Sequence, residues 1–111
     1  MAEETFGQIL LAAVDESLTS LGQSVRQAVF FHLENKFKVP RNEIPKRTKD
    51  FAEGIEKIFG LGAQFLEILI MKKLYEKLGQ PLKWDKTKEL VFVDYVEAAR
   101  RSYLRKKKAN N

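Results

Sequence analysis

Residues 61–79 read LGAQFLEILIMKKLYEKLG, and this stretch decides the fold. Its first half, Phe65 to Met71, is apolar nearly all the way round a 3.6-residue helical wheel. Phe65, Leu66, Leu69 and Ile70 cover one flank, and Ile68, Met71 and Leu74 cover the other. A helix apolar on every side is one buried among neighbours. Lys72, Lys73, Glu76 and Lys77 then occupy the flank that Phe65, Leu66 and Leu69 held a turn or two earlier. The pattern predicts a central helix near 61–79 that enters a core and emerges along one side.

Upstream, Gly60 and Gly62 bracket Leu61 and predict a tight corner between helices. A Gly-x-Gly pair is also a weak phosphate-loop signal, but it follows no strand and lacks both a third glycine and a Gly-Lys-Ser/Thr ending. Thr48 is placed to cap a helix carrying the stripe Phe51, Ile55, Ile58 and Phe59, with Asp50 favourable at the positive end of its dipole. Before it, KVPRNEIPKR (residues 38–47) breaks the helical period, because Pro40 and Pro45 push their predecessors toward extended geometry. Val39 and Ile44 are candidate anchors of this loop. Lys36, Lys38, Arg41, Lys46, Arg47 and Lys49 make the region basic, which reads first as a solvated loop and second as a phosphate site.

Nearer the N-terminus, residues 5–21 carry Phe6, Ile9, Leu10, Ala13, Val14, Ser17, Leu18 and Leu21 at steps of three and four, and Gly22 is a natural stop. Ser24 and Gln27 have the spacing of a capping box for a helix reaching about Phe37. Val25, Ala28, Val29, His32 and Leu33 form its stripe. Phe31 points away from them, either under another helix or as an exposed protein-contact residue. His32 is the sole histidine, and its expected place is a core edge, donating to a backbone carbonyl. With no cysteine and no second histidine, the usual four-ligand zinc set cannot be assembled from these residue types.

Downstream of Gly79, residues 80–86 form a connector in which Pro81 stops simple helix continuation and Trp84 is a candidate anchor. Asp85 or Thr87 can cap a last helix whose stripe is Phe92, Tyr95, Val96, Ala99 and Tyr103. Val91, Phe92 and Val93 are locally strand-like. The expected architecture is all-α, a compact bundle of about five helices, with residues 1–104 one domain and 105–111 a basic tail.

A chain of 111 residues with 44% hydrophobic and 32% charged residues suits one such globular domain. The absence of cysteine excludes disulfides and thiol chemistry and fits a reducing cytosol. An acidic start and the lack of a long uncharged apolar run predict neither signal peptide nor membrane span, hence a cytoplasmic protein. The net charge of +5 is concentrated at one end: Arg100, Arg101, Arg105, Lys106, Lys107 and Lys108 lie among residues 100–111 with no acid, leaving fourteen cations against fifteen acids elsewhere.

The segments AVDESL (13–18), LGQSV (21–25), FFHLE (30–34), Ile44-Pro45, FGLGA (59–63) and KKLY (72–75) resemble the Nitrosopumilus output domain family of archaeal signalling chains, across residues 10–79. There the domain occurs alone or at the end of receiver proteins. The resemblance implies an all-helical fold and a role near signalling or regulation, with no catalytic residue to carry over.

Three function classes follow. An enzyme needs titratable groups converging in a pocket, and neither a nucleophile nor an acid-base pair has a recognisable setting, so no enzyme, cofactor, metal or small-molecule substrate is expected. The first expectation is a non-catalytic interaction module that meets a protein partner or a second copy, with Phe31 as its contact residue. The alternative is a nucleic-acid-binding protein that uses Arg100, Arg101, Arg105, Lys106, Lys107 and Lys108 to displace counterions from a phosphate backbone.

Overall fold

The computed structural model describes residues 1–85 and 87–109. Five α-helices follow in order: α1 (Ala2–Ser20), α2 (Gln23–Asn35), α3 (Thr48–Phe59), α4 (Ala63–Leu78) and α5 (Phe92–Ala109). Two 3-10 turns, Arg41–Lys46 and Gly60–Gly62, complete the chain path, and the described residues contain no strand. The expected all-α bundle is the observed one. The last residue of the expected connector, Lys86, and the end of the expected tail, Asn110 and Asn111, lie outside the described residues.

The apolar periods set the packing. In α1, Phe6, Leu10, Ala13, Val14 and Leu18 recur on one face and are fully or almost fully buried. They face the inner side of α4, and α1 with α4 is the most extensive helix pair. Ala63, Leu66, Ile70, Met71, Leu74 and Tyr75 are the buried side of α4, which also touches α3 and α5. Ser17 sits within this core without cost, because its hydroxyl donates to the Ala13 carbonyl at 2.7 Å. Phe51 and Ile55 of α3 and Phe92, Val96 and Ala99 of α5 close the core. Phe51 and Phe92 meet with ring centroids 6.2 Å apart. α2 and α3 approach closely at Gly54: a Cβ there would lie 2.8 Å from Leu33 Cδ2, so the buried Leu33 side chain would have to shift.

Several local expectations are corrected. The central helix starts at Ala63, after the turn that holds the 99% exposed Leu61, and is not enclosed on every side: Phe65 is 81% exposed. On α2 only Val29 and Leu33 are buried, whereas Ala28 and His32 are exposed. Gly22 is the N-cap of α2 and no side chain caps that helix, so Ser24 and Gln27 form no capping box. Thr48 is the first residue of α3 and is buried, with Arg47 in the cap position. Asp85 and Thr87 do not cap α5 either. The Thr87 amide and hydroxyl donate to Asp85 Oδ1 at 2.9 and 2.6 Å, a turn inside the connector that holds this carboxyl below its usual range. The strand-like Val91-Phe92-Val93 leads straight into helix, because Phe92 and Val96 need one buried face at helical spacing. The proline-broken loop keeps its two expected anchors: Val39 and Ile44 are fully buried. α5 runs without a break to Ala109, so residues 105–109 are helical.

A polar clasp ties α1, α2 and the first 3-10 turn together. Arg26 Nε and Nη2 donate to Asp15 Oδ1 and Oδ2 at 2.6 and 2.9 Å, and Arg41 pairs with Oδ2 as well. Both guanidinium groups lie 5.3 Å from the Phe30 ring, one cation-π contact each. The hydrogen bonds from Arg26 hold the Asp15 carboxyl below its ordinary value of 3.8, against the opposing effect of burial. A carboxylate stabilised in the fold contributes fully above its unfolded pKa, and that contribution is lost as pH falls from there through its lower folded pKa. Asp15→Asn therefore lowers stability by about 1–2 kcal/mol at pH 7. The difference from the parent shrinks towards pH 3, which urea denaturation at the two pH values checks.

Candidate functional site

The corner between α3 and α4 forms a surface the apolar count alone does not reveal. Gly60 ends α3 at φ 58°, a conformation that side-chain-bearing residues rarely adopt, and turns the chain so that Leu61 stands in solvent. Phe65, the third residue of α4, is 81% exposed. Leu21, at the C-cap of α1 and 47% exposed, approaches from across the bundle. Leu21, Phe59, Gly62, Phe65, Leu66 and Leu69 line one cleft of about 250 Å³, and none carries a charge. A contiguous apolar surface of this kind on a small domain marks a contact site.

Phe65 was expected inside. Its register with Lys72 and Glu76, seven and eleven positions on, was the available signal: a straight helix presents those three residues on one face. Lys72 and Glu76 are exposed, and Phe65 is exposed with them.

The other candidates are distributed over the molecule. Phe31 is 62% exposed on α2, standing edge-on to His32 with centroids 5.8 Å apart, and it does not line the α3–α4 cleft. The six C-terminal cations separate into two kinds. Arg100 is built into the fold: it pairs with Glu3 and Glu97, donates through Nη2 to the Pro45 carbonyl at 2.7 Å and lies 4.9 Å from the Phe6 ring. Arg101, Arg105, Lys106, Lys107 and Lys108 are exposed and form no ion pair among the described residues, although Lys107 stands 5.5 Å from the Tyr103 ring. The acidic start of α1 thus meets the basic helix within one chain through Glu3 and Arg100.

Glu3, Glu4 and Lys46 share one cleft of about 330 Å³ with Gly7, Gln8, Leu11, Asn42 and Pro45. His32 lines a cleft with Lys36, Phe37, Lys57 and Ile58, a set without a carboxylate, and its ring makes no hydrogen bond among the described residues, against the expected donation to a backbone carbonyl. Among the described residues no three His, Asp or Glu side chains gather in a way that could hold a metal ion. Arg47 bridges Glu43 and Asp50 and donates to the Lys38 carbonyl at 2.5 Å, which braces the basic loop. No described helix is long and apolar enough to cross a membrane.

Glu67 is the exception in the interior. It is 6% exposed on the inner side of α4, and burial, with the charge of Glu56 adding to it, pushes its carboxyl up to about 7. It lines none of the clefts described above.

Compared with known proteins, the chain matches no family model, no curated protein and no solved structure at a significant level.

The raised Glu67 carboxyl has a thermodynamic consequence. Between its ordinary value of 4.5 and about 7 the folded chain holds a proton that the unfolded chain releases, so stability falls as pH rises through this window. Glu67→Gln removes the charge and keeps the volume. The variant gains about 1–3 kcal/mol over the parent at pH 8 and nothing near pH 4, read from thermal or urea unfolding across pH.

Proposed function

We propose that this chain is a non-catalytic helical interaction module whose contact surface is the apolar corner of Leu21, Leu61 and Phe65. The observation that supports it is that Phe65, 81% exposed, and Leu21, 47% exposed, line one uncharged cleft, with Leu61 fully exposed in the turn that precedes α4. Exposed leucine and phenylalanine side chains each gain about 1.5–3 kcal/mol when fully covered. In protein interfaces a few well-buried anchors supply most of the affinity, and Phe65 at the edge of this cleft is placed to be one. The motif resemblance across residues 10–79 adds a setting to the proposal: the output end of a signalling or regulatory chain, acting by contact with a protein. Phe31, on a separate part of α2, is a second contact point in this reading.

The test is capture from native lysate on immobilised protein, with and without nuclease, in parallel with a Leu61→Ser/Phe65→Ser variant. Both residues are solvent-exposed, so the double change leaves the helical fold intact by circular dichroism. The proposal expects a specific, nuclease-resistant partner that the variant loses at least tenfold. Equal recovery on parent and variant would remove the corner from consideration.

A further inference from the structure

A second concave surface lies at the opposite end of α4. The end of α4 and the connector are pinned to α5 by two hydrogen bonds. Tyr75 Oη donates to the Tyr95 carbonyl at 2.7 Å, and Gln80 Nε2 donates to the Ala99 carbonyl at 3.2 Å. These bonds hold open a cleft of about 430 Å³ whose walls include Tyr75, Pro81, Tyr95, Lys83 and Ser102. The volume suits one planar heterocycle rather than a folded partner. Arg101 adjoins Ser102 in sequence, and its charge reaches the Tyr75 hydroxyl, where it opposes the upward push of burial. Arg105 follows one turn later, three residues from Ser102 and so on its face of the helix. Lys83, Arg101 and Arg105 are exposed and free of ion pairs among the described residues. Beyond Glu97 no acid occurs on α5, and Glu97, four residues before Arg101, is paired with Arg100.

We propose that this cleft binds single-stranded nucleic acid, one base entering against Tyr95 and Pro81 while the phosphate backbone follows Lys83, Arg101 and Arg105. Aromatic walls beside a cation track are the chemistry of sequence-tolerant single-strand binding. A duplex hides its base faces and gains from the cations alone. A membrane surface would draw on apolar residues of α5, and Phe92, Val96 and Ala99 are already buried in the core. The proposal is independent of the α3–α4 corner, which lies on other residues.

The experiment is fluorescence anisotropy with a labelled single-stranded oligonucleotide of about twelve bases, its duplex, and anionic phospholipid vesicles, over a range of salt. About three phosphate contacts give a slope of log affinity against log salt near −2 for the single strand. Arg101→Glu/Arg105→Glu lowers single-strand affinity at least tenfold. The charge-matched pair Lys36→Glu/Lys57→Glu, beside His32, lowers it no more than about twofold. Ser102→Trp fills the cleft at constant charge; it lowers single-strand affinity about fivefold and leaves duplex binding unchanged. Circular dichroism checks folding, and Arg101→Gln/Arg105→Gln replaces the glutamate pair if that pair unfolds. Absence of binding at about 25 mM salt overturns the proposal. So does an equal loss in the charge-matched control, an inert Ser102→Trp, or tighter binding to duplex or vesicles than to the single strand.

Discussion

The packing of one face of α4 against α1 is the constraint from which the rest of the structure follows. Leu66, Ile70, Met71 and Leu74 recur at three- and four-residue steps and are buried, and α1 supplies Leu10, Ala13, Val14 and Leu18 on its matching face. Once that pair is formed, α3 and α5 have only the flanks of α4 left to cover. The turn at Gly60–Gly62 brings α3 against α4, the hydrogen bonds from Tyr75 and Gln80 bring α5 against it, and α3 and α5 meet each other through Phe51 and Phe92. The outward face of α4 then has no element left to cover it. The same geometry that completes the core therefore leaves Phe65 in solvent.

Polar contacts act as fasteners at the edges of this arrangement. Asp15 gathers Arg26 and Arg41 around Phe30, Arg47 braces the loop before α3, and Arg100 joins α5 to Glu3 and to the Pro45 carbonyl. Each joins segments distant in sequence or steadies a turn between helices. Arg100 shows why a run of like charges is a poor guide to a binding surface. Six cations look equivalent in the sequence, yet the one nearest the core is enclosed by Phe6, Glu3 and Glu97, and only the later ones face outward.

Much of the fold was legible because hydrophobic period is a local property. The stripes of α1 (apart from Leu21, which is exposed at its C-cap), α3 and α5, the anchors Val39 and Ile44, and the corner at Gly60 follow from spacing and backbone preference alone. What failed depended on competition between neighbours. Phe65 is apolar, but its face is decided by Lys72 and Glu76, which cannot be buried on the same side. Ser24 has cap spacing, but Gly22 already opens α2 two residues earlier. Glu67 sits among apolar residues whose burial carries its carboxylate inside, and no sequence motif announces that. The clefts are products of helix placement: Tyr75 and Tyr95 are twenty positions apart, and only the crossing of α4 and α5 brings them together.

The central claim is that α4 has one structural face and one free face. Equilibrium urea unfolding of Ile70→Ala and Phe65→Ala measures this directly. Ile70 is fully buried, and its truncation should cost about 2–5 kcal/mol. Phe65 is 81% exposed, and its truncation should change stability by no more than about 0.5 kcal/mol. Equal losses of several kcal/mol at both positions would mean that α4 is enclosed on all sides, and would contradict the account.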